Sequence, residues 1–318
     1  MVPDAVKTLP PRPSQRRPEP TLADLGENRL VAALIHRLAL GEDVRAGAGD
    51  DCAVIGRPRD ARWQLLKTDV VIEGIHFLPE EDPRRVGWKA LARALSDIAA
   101  MGGLPAHALI TLAARPEAAA SQIEALYAGL RKAARKFGVS IVGGETSRSP
   151  GPLFLNVALT GWVERVRCVF RSGGRPGDAL YVTGRLGGSI RGKHLDFMPR
   201  LAEARWLTTH FKIHAMMDLS DGIAADAPRL AAASHCDLEL LRERLPCAPG
   251  CTAAQALSDG EDYELLFAIA PREASDLESA WRKQFSRLPL TRIGSLTKLR
   301  IKVPGSHSAG GYDHFPQR

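Results

Sequence analysis

The sequence has no apolar run approaching the roughly 18 residues that a bilayer-spanning helix requires, so a soluble chain without a membrane partner is expected. It has few cysteines. The five thiols, Cys52, Cys168, Cys236, Cys247 and Cys251, are odd in number, and with no secretory leader in view they read as reduced cytoplasmic thiols, not disulfides. The CAPGC stretch that holds Cys247 and Cys251 lacks the second Cys or His pair of a four-coordinate zinc site, and His235 and Cys236 nearby do not supply it. No stripe of basic residues interleaves with aromatics, which leaves a nucleic-acid surface without support. Nor does charge of one sign dominate: 43 Lys and Arg against 36 Asp and Glu leave +7, a balance that favours anionic partners without naming them.

What remains is an ordinary globular composition, 45% hydrophobic and 25% charged over 318 residues, long enough for two domains with separate cores. Residues 1–20 carry Pro and Arg without apolar periodicity and are expected to be a disordered tail. Helical spacing of Leu30, Val31, Leu34, Ile35 and Leu38 predicts a helix over 28–40, and a strand is expected over 63–72, interrupted by Lys67, Thr68 and Asp69. Asp82 and Pro83 signal the start of a helix that ends near residue 100, before Gly102 and Gly103. A second helix is expected over 117–137 with a stop at Gly138, then a strand over 139–142, a turn at GGETSR and a strand over 153–163. The Gly- and Pro-dense 171–178 reads as an interdomain connection, giving halves of 21–167 and 168–318. Beyond it come a strand at 179–183, a helix after Gly222, a strand at 263–270 and a helix near 272–285, an α/β or α+β pattern throughout.

Acidic residues recur at the ends of apolar strands and in Gly-rich turns: Asp50, Asp51, Asp69, Asp97, Glu145, Asp218 and Asp221. Any one of them suits a cap or a turn. Their repetition in one setting points to a cation, because two carboxylates about 4 Å apart repel by roughly 4 kcal/mol at an effective dielectric of 20. Oxygen donors without clustered His or Cys favour Mg²⁺ over zinc. Asp97 is the sharpest case, lying inside a helix among Ala94, Leu95, Ile98 and Met101, where an unpaired charge costs several kcal/mol. Asp218, Ser220 and Asp221 lie where a strand gives way to a helix N-terminus, suited to phosphate and metal, although Ser220 alone could be an N-cap. The run from Gly187 to Lys193 satisfies seven positions of a phosphate-binding P-loop, but His194 stands where Ser or Thr must hold Mg²⁺, so a Gly-rich helix entry is the better reading. His76 is either a loop histidine or a donor to a substrate phosphate.

These residues carry a resemblance in order along the chain. GAGDDCAVI, KTDVVIEGIHF, ALSDIAAMGGLP, IVGGETSRSPGP, RSGGRPGDALYVTG, MMDLSDGIAAD, SDGEDYELLF and GGYDHF resemble the thiamine-monophosphate kinase family, of the aminoimidazole ribonucleotide synthetase-like superfamily. The resemblance implies a two-domain fold, with an N-terminal sheet domain whose strands form a homodimer and a C-terminal α/β domain. It implies ATP- and Mg²⁺-dependent phosphorylation of thiamine monophosphate in the cytoplasm, with another ATP-dependent synthetase or a non-catalytic nucleotide-binding protein as alternatives. Carried over residue by residue, Asp51, Thr68, Asp69, Asp97, Asp218 and Asp221 would hold several Mg²⁺ ions; Gly144, Glu145, Arg171 and Ser220 would meet ATP; His76, Glu261 and Tyr312 would meet thiamine monophosphate. The family usually has Asp where Glu145 stands, Ser or another small residue at Lys67, and Gly at Asp259.

Overall fold

The computed structural model describes residues 19–299; most of the expected N-terminal tail, and the GGYDHF motif with Tyr312, lie outside the described residues. The described residues fall into two compact units, 19–38 and 39–299. In the first, Thr21 caps α1 (Leu22–Leu25) and Asp24 returns the bond in a capping box, with α2 (Glu27–Ile35) following. α2 ends short of the expected residue 40, and Leu34 and Leu38 are exposed; a short helix with an uncovered apolar stripe has little to extend it.

The second unit is built on two sheets. The first contains β1 (Val44–Ala46), β2 (Ala53–Ile55), β3 (Arg62–Ile72), β4 (Leu104–Ala114), β5 (Ser140–Arg148) and β6 (Phe154–Glu164), in the order β1-β2-β3-β6-β4-β5. Its β4–β5 pair is parallel, joined by the crossover helix α4 (Ala120–Phe137), and the other pairs are antiparallel. β5 absorbs the GGETSR segment expected as a turn: at Gly144 a Cβ would lie 1.8 Å from the Ile110 carbonyl oxygen, so glycine here permits close strand approach.

The second sheet contains β7 (Ala179–Thr183), β8 (Ile213–Asp218), β9 (Cys236–Leu240), β10 (Leu265–Ile269) and β11 (Leu290–Lys298), all antiparallel, in the order β8-β10-β7-β11-β9. Four more helices accompany it: α5 (Lys193–Asp196), α6 (Leu201–His210), α7 (Ile223–Ala233) and α8 (Ala253–Ser258), before α9 (Ala274–Gln284). The expected connection at 171–178 is largely loop and turn and leads directly into β7.

Between the sheets lies α3 (Pro83–Ala100), packed on β3 and β6 of one sheet and on β8 of the other. Asp82 caps it by accepting from the Arg84 N–H, with Pro83 at the first position as expected. Leu91, Leu95 and Ile98 are fully buried, a burial contributing roughly 1.5–3 kcal/mol per side chain. α3 and α4 touch backbone to backbone, since a Cβ at Gly87 would lie 1.9 Å from the Leu126 carbonyl oxygen and one at Gly129 equally close to that of Arg84. The helix that carries Asp97 is therefore clamped on every side. Among the described residues, no helix is long and apolar enough to cross a membrane.

Candidate active site

Three carboxylates from three elements converge where the two sheets meet. Asp51 comes from the turn before β2, Asp97 from the last turns of α3 and Asp218 from the end of β8, and one oxygen of each lies within 4.8 Å of the others. All three are buried. Burial first, and then the neighbouring Asp51, pushes Asp218 up to about 7, although a hydrogen bond donated by Ser96 Oγ at 2.6 Å works against this. Asp97 is held well above the usual carboxylate range, by burial first and then by Asp218, Asp69 and Asp51, with Lys67 opposing. Asp50, beside them, is raised to about 6 by burial and by Asp51.

The cluster fits a hard divalent cation. Asp51 Oδ2 is buried and accepts no hydrogen bond, an orphaned oxygen on a residue grouped with two further carboxylates. The nearby thiol of Cys52 is pushed up by burial and then by Asp97, so it stays protonated and offers no soft thiolate. An all-oxygen donor set of this kind suits Mg²⁺.

Most of the surrounding charge is already paired. Arg171 donates from Nη2 to Asp51 Oδ1 at 2.5 Å, Lys67 Nζ to Asp97 Oδ1 at 2.7 Å, and Arg93 Nη2 lies 3.1 Å from Asp69 Oδ1. Asp221 stands outside the triad and pairs with Arg229. Ser220 and Asp221 form the turn between β8 and α7, and both donate their backbone N–H to Asp226 Oδ2, at 3.1 and 3.0 Å. That buried carboxyl is raised to about 7 by burial and then by Asp221.

Two residues expected at the site face elsewhere. Successive side chains of a strand alternate faces, so Lys67 and Asp69 point toward α3 while Thr68 points to the opposite side, where its hydroxyl donates to Asn156 Oδ1 at 2.9 Å. The Thr68 hydroxyl is thus not among the grouped oxygens. Glu145 lies exposed on the edge strand β5, three strand spacings from β3, or roughly 14 Å at about 4.8 Å per strand. It pairs in register with Thr111, and Thr111 with Asn156, which puts it on the same outer face as Thr68. Gly144 is its neighbour on that strand.

A second group forms about two turns earlier along α3. Lys89 is fully buried, donating to the His76 carbonyl at 2.5 Å and lying 2.7 Å from Glu261 Oε1. Burial lowers its ammonium to about 8 against the pull of Glu261. Glu261 and Tyr263 both have positive φ, 60° and 51°, and Tyr263 Oη donates to Glu261 Oε1 at 3.2 Å. Such backbone is costly for residues other than glycine, and it is held by the Glu261 and Tyr263 N–H groups bonding the Ser220 and Leu219 carbonyls. His76 is buried, and its Nδ1 accepts from the Ile72 N–H at 3.1 Å. Of the three expected substrate contacts, His76 and Glu261 are thus joined through Lys89.

Lys89, Arg93, Ser96 and Asp226 were missed by sequence reasoning. The first three were signalled, since Lys89, Arg93, Ser96 and Asp97 recur at i, i+4, i+7 and i+8, one polar stripe on an otherwise apolar helix. The departure at Asp259 has a local role: its Oδ2 accepts the Gly188 N–H at 2.8 Å. Lys193 of the P-loop-like run is engaged, donating to Glu264 Oε1 at 3.2 Å and to the Arg185 carbonyl at 3.0 Å.

Comparison with known proteins gives the same outline. Residues 49–163 match the AIR synthase related protein, N-terminal domain, and residues 188–303 the corresponding C-terminal domain. A thiamine-monophosphate kinase of Rhodopirellula baltica is 40% identical over 288 residues, covering 85% of this chain and 89% of that protein. Its counterpart in Escherichia coli K12 is 32% identical over 327 residues, covering 91% and 98%. Among solved structures, AaThiL complexed with AMPPCP and TMP superposes with a TM-score of 0.79 at 30% identity, covering 94% of this chain and all of that one. With its fold, its ordered motifs and two thirds or more of its length shared in this way, the chain belongs to the thiamine-monophosphate kinase family.

Proposed function

We propose that this chain transfers the γ-phosphate of ATP directly to thiamine monophosphate, making thiamine diphosphate in a Mg²⁺-dependent reaction. The buried triad of Asp51, Asp97 and Asp218, with its orphaned oxygen, carries this reading, together with the kinase relatives and the AMPPCP and TMP bound by AaThiL. Asp51, Asp97 and Asp218 would hold Mg²⁺, with Asp69 and Asp221 as the further carboxylates that the resemblance implies. Bound there, the ion supplies positive charge that offsets the repulsion between two phosphate groups.

The acceptor needs no general base. A phosphomonoester with a second pKa near 6 is already mostly a dianion at neutral pH, so positioning and charge are what the chain must provide. Arg171 pairs with Asp51, and neutralising that carboxylate frees its guanidinium for a nucleotide phosphate. Ser220 supplies a hydroxyl at the entry of α7. Lys89 holds Glu261 in place, and Glu261 offers negative charge to the cationic thiazolium. His76 sits beside this pair, its Nδ1 held by the Ile72 N–H and its carbonyl by Lys89.

We read residues 21–167 and 168–318 as the two functional halves, and the outer face of the first sheet as the face of a homodimer in the cytoplasm. Leu66 and Leu109 are 38% and 48% exposed on it, and Thr68, Asn156 and Glu145 share it. Glu145 and Gly144 then serve a neighbouring subunit's nucleotide.

The test is direct. Purified protein incubated with ATP, Mg²⁺ and thiamine monophosphate is expected to form thiamine diphosphate and ADP in equal amounts, and none without the metal. ATP binding without thiamine diphosphate would end this substrate assignment in favour of a synthetase or a non-catalytic protein.

A further inference from the structure

Lys67 brings a fixed positive charge into the carboxylate group. Strand alternation aims it at α3, on the same side as Asp69, and its ammonium donates to Asp97 Oδ1 at 2.7 Å. The side chain is 23% exposed and that of Asp97 9%, so the pair is largely shielded from water. Arg93 makes the matching contact one turn back along α3, lying 3.1 Å from Asp69 Oδ1 and donating to the Val70 carbonyl at 2.8 Å. Neither cation can retire far, because Lys67 sits mid-strand between β2 and β6 while Arg93 lies within a clamped helix.

An ammonium and a divalent ion compete for the same carboxylate. Mg²⁺ approaches its oxygens to 2.0–2.1 Å in near-ideal octahedral geometry, and a cation already bonded to Asp97 Oδ1 repels it and fills part of that shell. Asp51 differs, with one buried oxygen wholly without a partner. Asp51 Oδ2 is therefore open to an incoming ion, whereas Asp97 Oδ1 is taken by the ammonium.

We propose that Lys67 is a resident cation occupying the place of one divalent ion at Asp97, so that this chain holds one divalent ion fewer than it would with serine there. The proposal rests on the reading of the cluster as a Mg²⁺ site. Lys67 acts as a positioning residue through Asp97, fixing that carboxylate when no metal is bound. A cradle built this way is partly neutralised in advance, which lowers the repulsion the free protein must tolerate.

Mn²⁺ titration of the full-length protein with saturating AMPPCP, counting bound ions by the loss of the free-ion electron paramagnetic resonance signal, tests it. Lys67→Ser is expected to bind one more Mn²⁺ per chain than the unaltered protein, and Lys67→Arg the same number. In EDTA, Lys67→Ser is expected to melt at lower temperature, and added Mn²⁺ is expected to raise its melting temperature by more than it raises that of the unaltered protein. Lys67→Gln, which keeps length and an N–H donor, guards against a folding defect in the serine variant and is expected to bind Mn²⁺ about tenfold more tightly. Equal ion counts for Lys67→Ser and the unaltered protein, or unchanged affinity in Lys67→Gln, would overturn the role of Lys67. An unaltered protein that binds no Mn²⁺ beyond the nucleotide's own would instead overturn the metal reading beneath it.

Discussion

Two points on α3, about two turns apart, solve opposite charge problems with the same helix. Near its C-terminal end, Asp97 meets Asp51 and Asp218 in a group where carboxylates crowd together and Asp218 has only a hydroxyl donor. Eight residues earlier, about 12 Å along the axis, Lys89 is just as buried but has its carboxylate in Glu261 and a carbonyl in His76. Burial moves both groups toward neutrality, Asp218 up to about 7 and Lys89 down to about 8. The difference lies in completeness. The Lys89 corner is satisfied by the chain itself, whereas the aspartate corner has an orphaned oxygen and calls for something from outside.

Breaking the aspartate corner is expected to have the largest effect on turnover. Asp218→Asn should lower kcat by roughly 10³-fold, the scale of losing one preorganised electrostatic group. The same change removes a like charge from the triad, so the metal-free protein should melt no lower, and a circular dichroism melt in EDTA checks this. A large drop in melting temperature would mean that Asp218 is structural.

Breaking the Lys89 corner should reverse that pattern. Lys89→Met leaves Glu261 without its cation beside a strained backbone, costing about 1–3 kcal/mol of stability with partial relief from water at Glu261. The KM for thiamine monophosphate should rise about tenfold or more, with a smaller change in that for ATP. Equal effects on both substrates would detach Lys89 from the substrate end.

pH sharpens the contrast without any mutation. Asp218 and Asp226 have folded values near 7 against 3.8 in the open chain, so their contribution is full below about 4 and is lost as pH rises to about 7. Lys89 has the opposite sign: lowered from 10.5 to about 8, its burial cost is relieved as pH climbs between those values. Metal-free stability by urea titration should therefore fall from pH 4 to 7. Added Mg²⁺ should recover the most at the upper end of that range, because its ligands must be deprotonated.

The smallest effect is expected at Lys193, which belongs to neither group. It is 34% exposed and shares Glu264 with Arg200, so Lys193→Ala should cost no more than about 1 kcal/mol and alter kcat only a few-fold. Loss of turnover there would revive the P-loop reading of 187–193.

Much of α3 was legible residue by residue. Asp82 and Pro83 announced its start, the Gly pair its end, and Asp97 stood out because no apolar face accepts a lone carboxylate. The strand at 179–183 and the turn at 218–222 were equally plain, marked by an unbroken apolar run and by glycine. The β5 segment is illegible in sequence because Gly143 and Gly144 look like turn residues, and only the nearness of the Ile110 carbonyl explains the glycine at 144. Lys89 is hidden for a simpler reason: apolar periodicity marks the packed positions of the helix, and the polar stripe between them carries the site.

The sequence by itself determined which residues could do chemistry, since composition, caps and the setting of each aspartate are local properties. It also determined that lysine, not a small residue, stands at 67. Tertiary structure decided which of these residues meet. Thr68 and Asp69 are neighbours in the chain, yet pleating sends them to opposite faces of β3; Asp51 and Asp218 are far apart in the chain, yet their oxygens lie within 4.8 Å of Asp97. Charge is written one residue at a time, but the field that moves Asp218 toward 7 depends on which other charges are buried beside it, and only the packed fold fixes that.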